Sequence, residues 1–170
     1  GKAFFGEKFS ISTLAEDDSM TIYPFTSDAV LKAIDWVKNG VINSLPMSRS
    51  YAKMIGDEAG QMLNMYIPGE DISEEDMMKM AGRGLIINNL WYIRPNDMRT
   101  ADFTGMTRDG VLYFENGEVK HSVNNFRFNE KLHEITHRIL ALGESLICEN
   151  TIKVPSFLIK DFNFVDKTNF

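Results

Sequence analysis

A chain of 170 residues is long enough to bury a core, and 44% apolar with 25% charged residues is a globular balance, not a disordered or fibrous one. A net charge of −6 and the lack of any Lys/Arg-rich stripe argue against nucleic acid as a partner. No apolar run reaches the ~18–20 residues of a bilayer span, so no membrane partner is expected. The single cysteine, Cys148, excludes an internal disulfide and fits a reducing, cytoplasmic setting.

In chain order, "MTIYPF" (20–25) predicts a short strand. "IDWVKNGVINSL" (34–45) predicts a hairpin, because Asn39-Gly40 supplies the positive φ angles of a two-residue turn. "SRSYAKMIGDEAG" (48–60) reads as a short helix or an irregular segment, and "QMLNMYIPG" (61–69) ends in the turn signal Pro68-Gly69. "DISEEDMMKMAG" predicts a helix capped by Ser73, with acidic residues in its first turn and Gly82 as its stop. "GLIINNLWYI" (84–93) reads as a mostly buried strand, with Trp91 inside and Arg94 accessible at its end. "GVLYFENGEVKHSV" (110–123) predicts a second hairpin turning at Asn116-Gly117. "NEKLHEITHRILAL" (129–142) predicts a helix capped by Asn129 and ended by Gly143, and "PSFLIKDFNFV" (155–165) a closing strand. Strands and helices do not alternate, which predicts an α+β fold: a single domain over residues 1–170, rich in antiparallel sheet, with two hairpins and a few flanking helices.

His133-Glu134-x-x-His137 has the spacing of a zinc-protease helix, where i and i+4 place two imidazoles on one face and the glutamate activates the metal-bound water. The helical wheel argues against that use. Leu132, Ile135, Ile139 and Leu142 form the expected buried stripe, and the two histidines fall opposite it. A third ligand is also needed, and Cys148, Glu144, Glu149 and His121 are the choices. The expectation is a solvated helix face that spells the motif. The metal candidates, His133, His137 and Cys148, remain the alternative reading of an independent zinc peptidase.

The stretches "LWYIR" (90–94), "TGMTRDGV" (104–111), "ENGEV" (115–119) and "VNNFRFNE" (123–130), in this order, resemble the C-terminal domain of the TldD/PmbA family, once called modulators of DNA gyrase and classed as metallopeptidases. Weaker similarity runs through "NGVINSLPMSRSYA" and "VPSFLIKDFNF". The resemblance implies the C-terminal part of a longer chain. Its zinc motif, His-Glu-x-x-x-His, would lie upstream, and the motif at 133–137 is not where the family keeps its metal. In the TldD branch a late cysteine completes the site, and Cys148 is its possible positional counterpart. The signature is closer to the PmbA (TldE) side, whose members lack the zinc motif and pair with a TldD-type subunit. It therefore implies no cofactor in this chain and zinc in the full complex. It also implies a homo- or hetero-oligomer acting in proteolysis or maturation of unfolded peptides. The alternative is a non-catalytic peptide-binding or assembly module.

The residues carrying the signature have their own chemistry. Arg94 precedes Pro95 and so leaves the sheet at an edge. Asp109 can accept backbone amides in a turn, and Arg108 can pair with a carboxylate. In "NNFRF", Phe126 and Phe128 face one side, leaving Asn125 and Arg127 on the other. Two readings stand: a polar outer sheet face, or a cleft in which Tyr92, Arg94, Arg108, Asp109, Asn125 and Arg127 meet an extended peptide or a subunit interface. No residue of this chain is expected to be catalytic.

Overall fold

The computed structural model describes residues 3–25 and 30–168. In chain order its elements are β1 (Ile11–Thr13), β2 (Ile34–Lys38), β3 (Val41–Ile42), α1 (Arg49–Ile55), β4 (Met65–Tyr66), α2 (Glu74–Ala81), β5 (Arg83–Asp97), β6 (Asp102–Glu115), β7 (Glu118–Val123), β8 (Phe126–Lys131), α3 (Leu132–Thr136), β9 (Ile139–Glu149), β10 (Ile152–Ile159) and β11 (Phe164–Lys167). This is an α+β chain dominated by antiparallel pairing, with β10 against β4 as a parallel exception. It divides into two compact units, Gly1–Asp71 with Gly143–Ser156, and Ile72–Leu142 with Phe157–Phe170.

The six-stranded sheet runs β3-β2-β1-β4-β10-β9. The β2–β3 hairpin turns where the sequence predicts, with Asn39 and Gly40 at φ 49° and 78°. The first unit is organised around one buried polar chain. The Trp36 indole donates to Thr13 Oγ1 at 2.9 Å, and Thr13 donates to the Asn64 carbonyl at 3.0 Å. Asn64 then clasps Leu14 in both directions at 2.8 Å, its side chain accepting from the Leu14 amide and donating to the Leu14 carbonyl. All three side chains of that chain are buried, and pairing of this kind offsets the cost of hiding polar atoms. Nearby, Asp17 accepts from the Lys153 ammonium at 2.8 Å and from the Ser19 and Met20 amides at 2.9 Å. That Lys153 bond, then the Ser19 hydroxyl and amide, hold the Asp17 carboxyl well below the usual carboxylate range.

The second unit is built on a sheet ordered β11-β8-β6-β5, with β7 also pairing with β6. The β6–β7 hairpin turns at Asn116 and Gly117, φ 53° and 80°. Ser73 caps α2 by accepting the Asp76 amide, and Gly82 closes it at φ 72°. The rings of Phe126, Phe128, Phe162 and Phe164 lie 5.0–5.3 Å apart in a chain of contacts, so the alternation of "FRF" does bury its aromatic side.

Four sequence expectations fail. "MTIYPF" is not a strand, and only Phe25 pairs, in an isolated bridge to Val30. The closing segment is two strands, β10 and β11, interrupted at Lys160–Asn163. Residues 84–93 are not a buried strand, because β5 is the outer strand of its sheet: Leu90, Trp91, Tyr92 and Ile93 are 38%, 47%, 56% and 52% exposed. The 14-residue helix at 129–142 is absent. Asn129, Glu130 and Lys131 continue β8, which pairs with Asp102–Met106 of β6, and only one turn, α3, remains before β9. Leu132 of the supposed buried stripe is 50% exposed.

The Asp17 pair sets a pH dependence with a definite sign. As pH falls, the unfolded chain protonates Asp17 near pH 4, whereas the folded chain does so only lower. The stabilisation is therefore complete above about pH 4 and is lost as pH drops toward the folded value. Urea midpoints measured between neutral pH and pH 2.5 are expected to fall less steeply in Asp17→Asn than in the wild type.

Candidate functional site

Cross-strand partners project to the same face of a sheet, and the register of β5, β6 and β8 thereby fixes the site. One row is Trp91, Met106 and Arg127; the next is Arg94, Thr104 and Asn129; Asn89 and Arg108 pair further along. Arg94, Arg108 and Arg127 therefore stand on one face. The structure brings most of the proposed group together there. The Arg94 guanidinium carbon lies 3.8 Å from the centre of the Tyr92 ring, and that of Arg108 4.4 Å from the Trp91 ring, both within range of cation–π attraction. Asp109 holds the Arg108 Nε at 3.5 Å and accepts from the Asn89 amide group at 2.7 Å. Asn125 is elsewhere. Its side-chain oxygen accepts from Thr107, one of the buried inward residues of β6, and the same Thr107 oxygen accepts the Phe126 amide.

Two irregularities position these side chains. Between Trp91 and Arg94, β5 takes three steps while β6 takes two, and the surplus residue is absorbed at Tyr92, whose φ is 57°. A left-handed conformation in a bulky residue costs about 1–3 kcal/mol and is held by its surroundings. The second irregularity is on β6, where Asp109 and Gly110 have φ 61° and 93°, and it turns Asp109 toward Asn89. The sequence reading placed Trp91 in the core. Instead its ring is a half-exposed platform under Arg108.

Sequence reasoning missed a second feature, an open pocket of about 320 Å³ lined by Asp102, Asn129, Glu130, Lys131, Glu134, Arg138 and Asn163. Its centre is Glu130, whose side chain is 4% exposed. One carboxylate oxygen pairs with Arg138, and the other accepts the Asn163 amide at 2.7 Å. Arg138 also donates to the Asp161 carbonyl. This one ion pair ties β8, the start of β9 and the turn before β11. Carrying the alternation of Phe126 and Phe128 one step further would have put Glu130 on the apolar side, where a carboxylate requires a cation.

The zinc reading finds no matching geometry. His133 lies in the single turn of α3 and His137 is the residue that ends it. His133 Nε2 stands 4.0 Å from the Glu134 carboxylate, which Lys131 engages at 3.2 Å, so the would-be general base is tied to a lysine. Cys148 is exposed on β9. Among the described residues no group of three or more His, Cys, Asp or Glu side chains is placed to hold a metal ion. The donor set does not fit the zinc that a metallopeptidase needs.

Comparison with known proteins bears on the family and the fold. A model of the PmbA/TldA metallopeptidase C-terminal domain matches residues 1–166. The chain is 26% identical over 145 residues to Metalloprotease PmbA of Escherichia coli O157:H7, covering 81% of this chain and 31% of that protein, so it spans about a third of that relative's length. Its fold matches a Thermotoga maritima MSB8 protein assigned as a modulator of DNA gyrase, at TM-score 0.81 and 18% identity over 97% of this chain and 41% of the other. It also matches TldE from Thermococcus kodakarensis, at TM-score 0.78 and 17% identity over 98% of this chain and 41% of that one.

Two measurements check the site. Arg94→Ala is expected to change unfolding free energy by no more than about 0.5 kcal/mol, as for an exposed side chain, whereas Glu130→Ala, which leaves Arg138 without its counter-ion, is expected to cost about 3 kcal/mol. Equilibrium dialysis with zinc is expected to give wild-type binding no tighter than about 10 µM. Nanomolar binding that disappears in His133→Ala/His137→Ala would restore the metal reading.

Proposed function

Because the chain belongs to the PmbA/TldD metallopeptidase family and matches its C-terminal domain over residues 1–166, we propose that it is the peptide-handling part of an assembly that degrades or matures unfolded peptides. In this reading it is the C-terminal part of a longer chain, works in the cytoplasm, and sits beside a TldD-type subunit, the zinc chemistry being supplied outside these residues. The observation that carries the reading is the outer strand β5. Its outer main-chain edge pairs with no strand among the described residues, and it lies next to exposed Leu90–Ile93 and to a face bearing Arg94, Arg108 and Arg127. Extended peptides add to such edges by main-chain hydrogen bonds, while alternate side chains give selectivity.

In this reading the residues of this chain bind and orient the peptide. Tyr92 and Trp91 hold the two guanidinium groups over their rings, and Asn89 and Arg108 hold Asp109. A second reading, a non-catalytic assembly module, is favoured by another apolar edge. Leu146 and Ile147 are 58% and 42% exposed on β9, the last strand of the six-stranded sheet. Such edges are also surfaces on which subunits join.

The purified protein alone, with zinc added, is expected to release no acid-soluble peptides from a denatured substrate. Together with a TldD-type subunit carrying His-Glu-x-x-x-His it is expected to do so. Assembly with that subunit without any gain in cleavage would favour the module. Zinc-dependent cleavage by this chain alone, abolished in His133→Ala, would overturn both readings.

A further inference from the structure

The face beside β5 has a charge pattern that main-chain pairing alone does not require. The chain as a whole is acidic, with 24 carboxylate residues against 18 lysines and arginines. Arg94, Arg108 and Arg127 nonetheless share one sheet face, on which the same register sets Asp166 of β11 across from Arg127 and Asp102 beyond Thr104, away from Arg94 and Arg108. A guanidinium lying over an aromatic ring keeps its N–H donors unused by that contact. Arg94 has no carboxylate partner among the described residues, and Arg108 has only Asp109, at its Nε. Arginine's planar fork suits a carboxylate, and stacking fixes that fork before any ligand arrives, so less rotamer freedom is lost on binding.

The same charges argue against a second copy of this chain as the occupant. Antiparallel self-pairing of β5 centred near Arg94 would set the Arg94 residues of both copies opposite one another, and like charges opposite each other destabilise a sheet. A strand with carboxylates meets the reverse situation. Side chains on one face of a strand recur at every second residue, so a strand lying along β5 turns one set of its carboxylates toward the face that carries Arg94 and Arg108. We infer that Arg94 and Arg108, held over Tyr92 and Trp91 beside the outer edge of β5, select extended peptides carrying carboxylates on the strand face turned toward them. The inference rests on the peptide-handling reading and names the chemical class of peptide that site takes.

The test is calorimetric titration of the full chain with three extended peptides of one Thr/Val-rich backbone, bearing Glu, Gln or Lys at two alternate positions. The Glu peptide is expected to bind about tenfold tighter than the Gln peptide, the Lys peptide weakest, and the advantage of Glu to shrink at high salt. Arg94→Gln/Arg108→Gln is expected to reduce the Glu advantage to about twofold or less. The wild-type series decides the matter even where the double variant folds poorly. Equal binding of the Glu and Gln peptides overturns the selectivity and leaves peptide handling standing. Failure of all three to bind overturns both. Self-association of the wild type that is lost in the folded double variant, read by sedimentation, assigns the face to a second copy and overturns the inference.

Discussion

Trp91 stands beside Met106 and Arg94 beside Thr104, so β5 must carry one surplus residue between those rows. Were β5 to pair regularly through this stretch, with no residue bulged out, every side chain beyond Trp91 would change face, because the strand period is two. Arg94 would then point to the side of Gly105 and Thr107, where the Phe128 ring lies. The strain at Tyr92 is therefore inseparable from the position of Arg94. What holds the register is the packing on the opposite face. A Cβ at Gly105 would come within 2.5 Å of the Phe128 ring, and one at Gly84 within 2.7 Å of the Phe114 ring. Each glycine lies directly across from the residue whose ring covers it, and those two rings are buried. Any slip of the ladder would drive the rings into side chains instead of glycines.

Where local chemistry alone decides conformation, the sequence was readable. Asn39-Gly40 and Asn116-Gly117 adopt the positive φ angles their turns need, and Ser73 and Gly82 bound α2 as caps do anywhere. The failures share another cause. The 3,4,3 spacing of Leu132, Ile135, Ile139 and Leu142 is helical, but Asn129, Glu130 and Lys131 belong to a ladder with Thr104, Phe103 and Asp102, and those long-range hydrogen bonds override local preference. Likewise an apolar run such as "LIINNLWYI" says that the segment is extended and not whether a neighbour covers it. Burial depends on strand order, and β5 happens to be outermost. The arginines of the site could be named from the sequence, while their shared face depended on bulges that no periodicity reveals.

The two polar features of the second unit differ in kind. Buried Glu130 and half-buried Arg138 form a pair whose bonds are largely used within the fold, so it reads as a fastener for β8 and the turn before β11. Arg94 and Arg108 lie at the surface, restrained by rings and left with donors to spare. Restraint without saturation separates a group available for recognition from one consumed by structure.

The two tryptophans occupy opposite surroundings. Trp36 is 2% exposed and hydrogen-bonded inside the first unit, and Trp91 is 47% exposed under a guanidinium in the second. Their emission is consequently separable. Iodide or acrylamide in the solvent reaches the indole at position 91 and not the one at 36, so the quenched component follows events at the outer strand while the protected, blue-shifted component follows the integrity of the first unit. The protein thus carries two native optical reporters, one for each unit, without any label being attached.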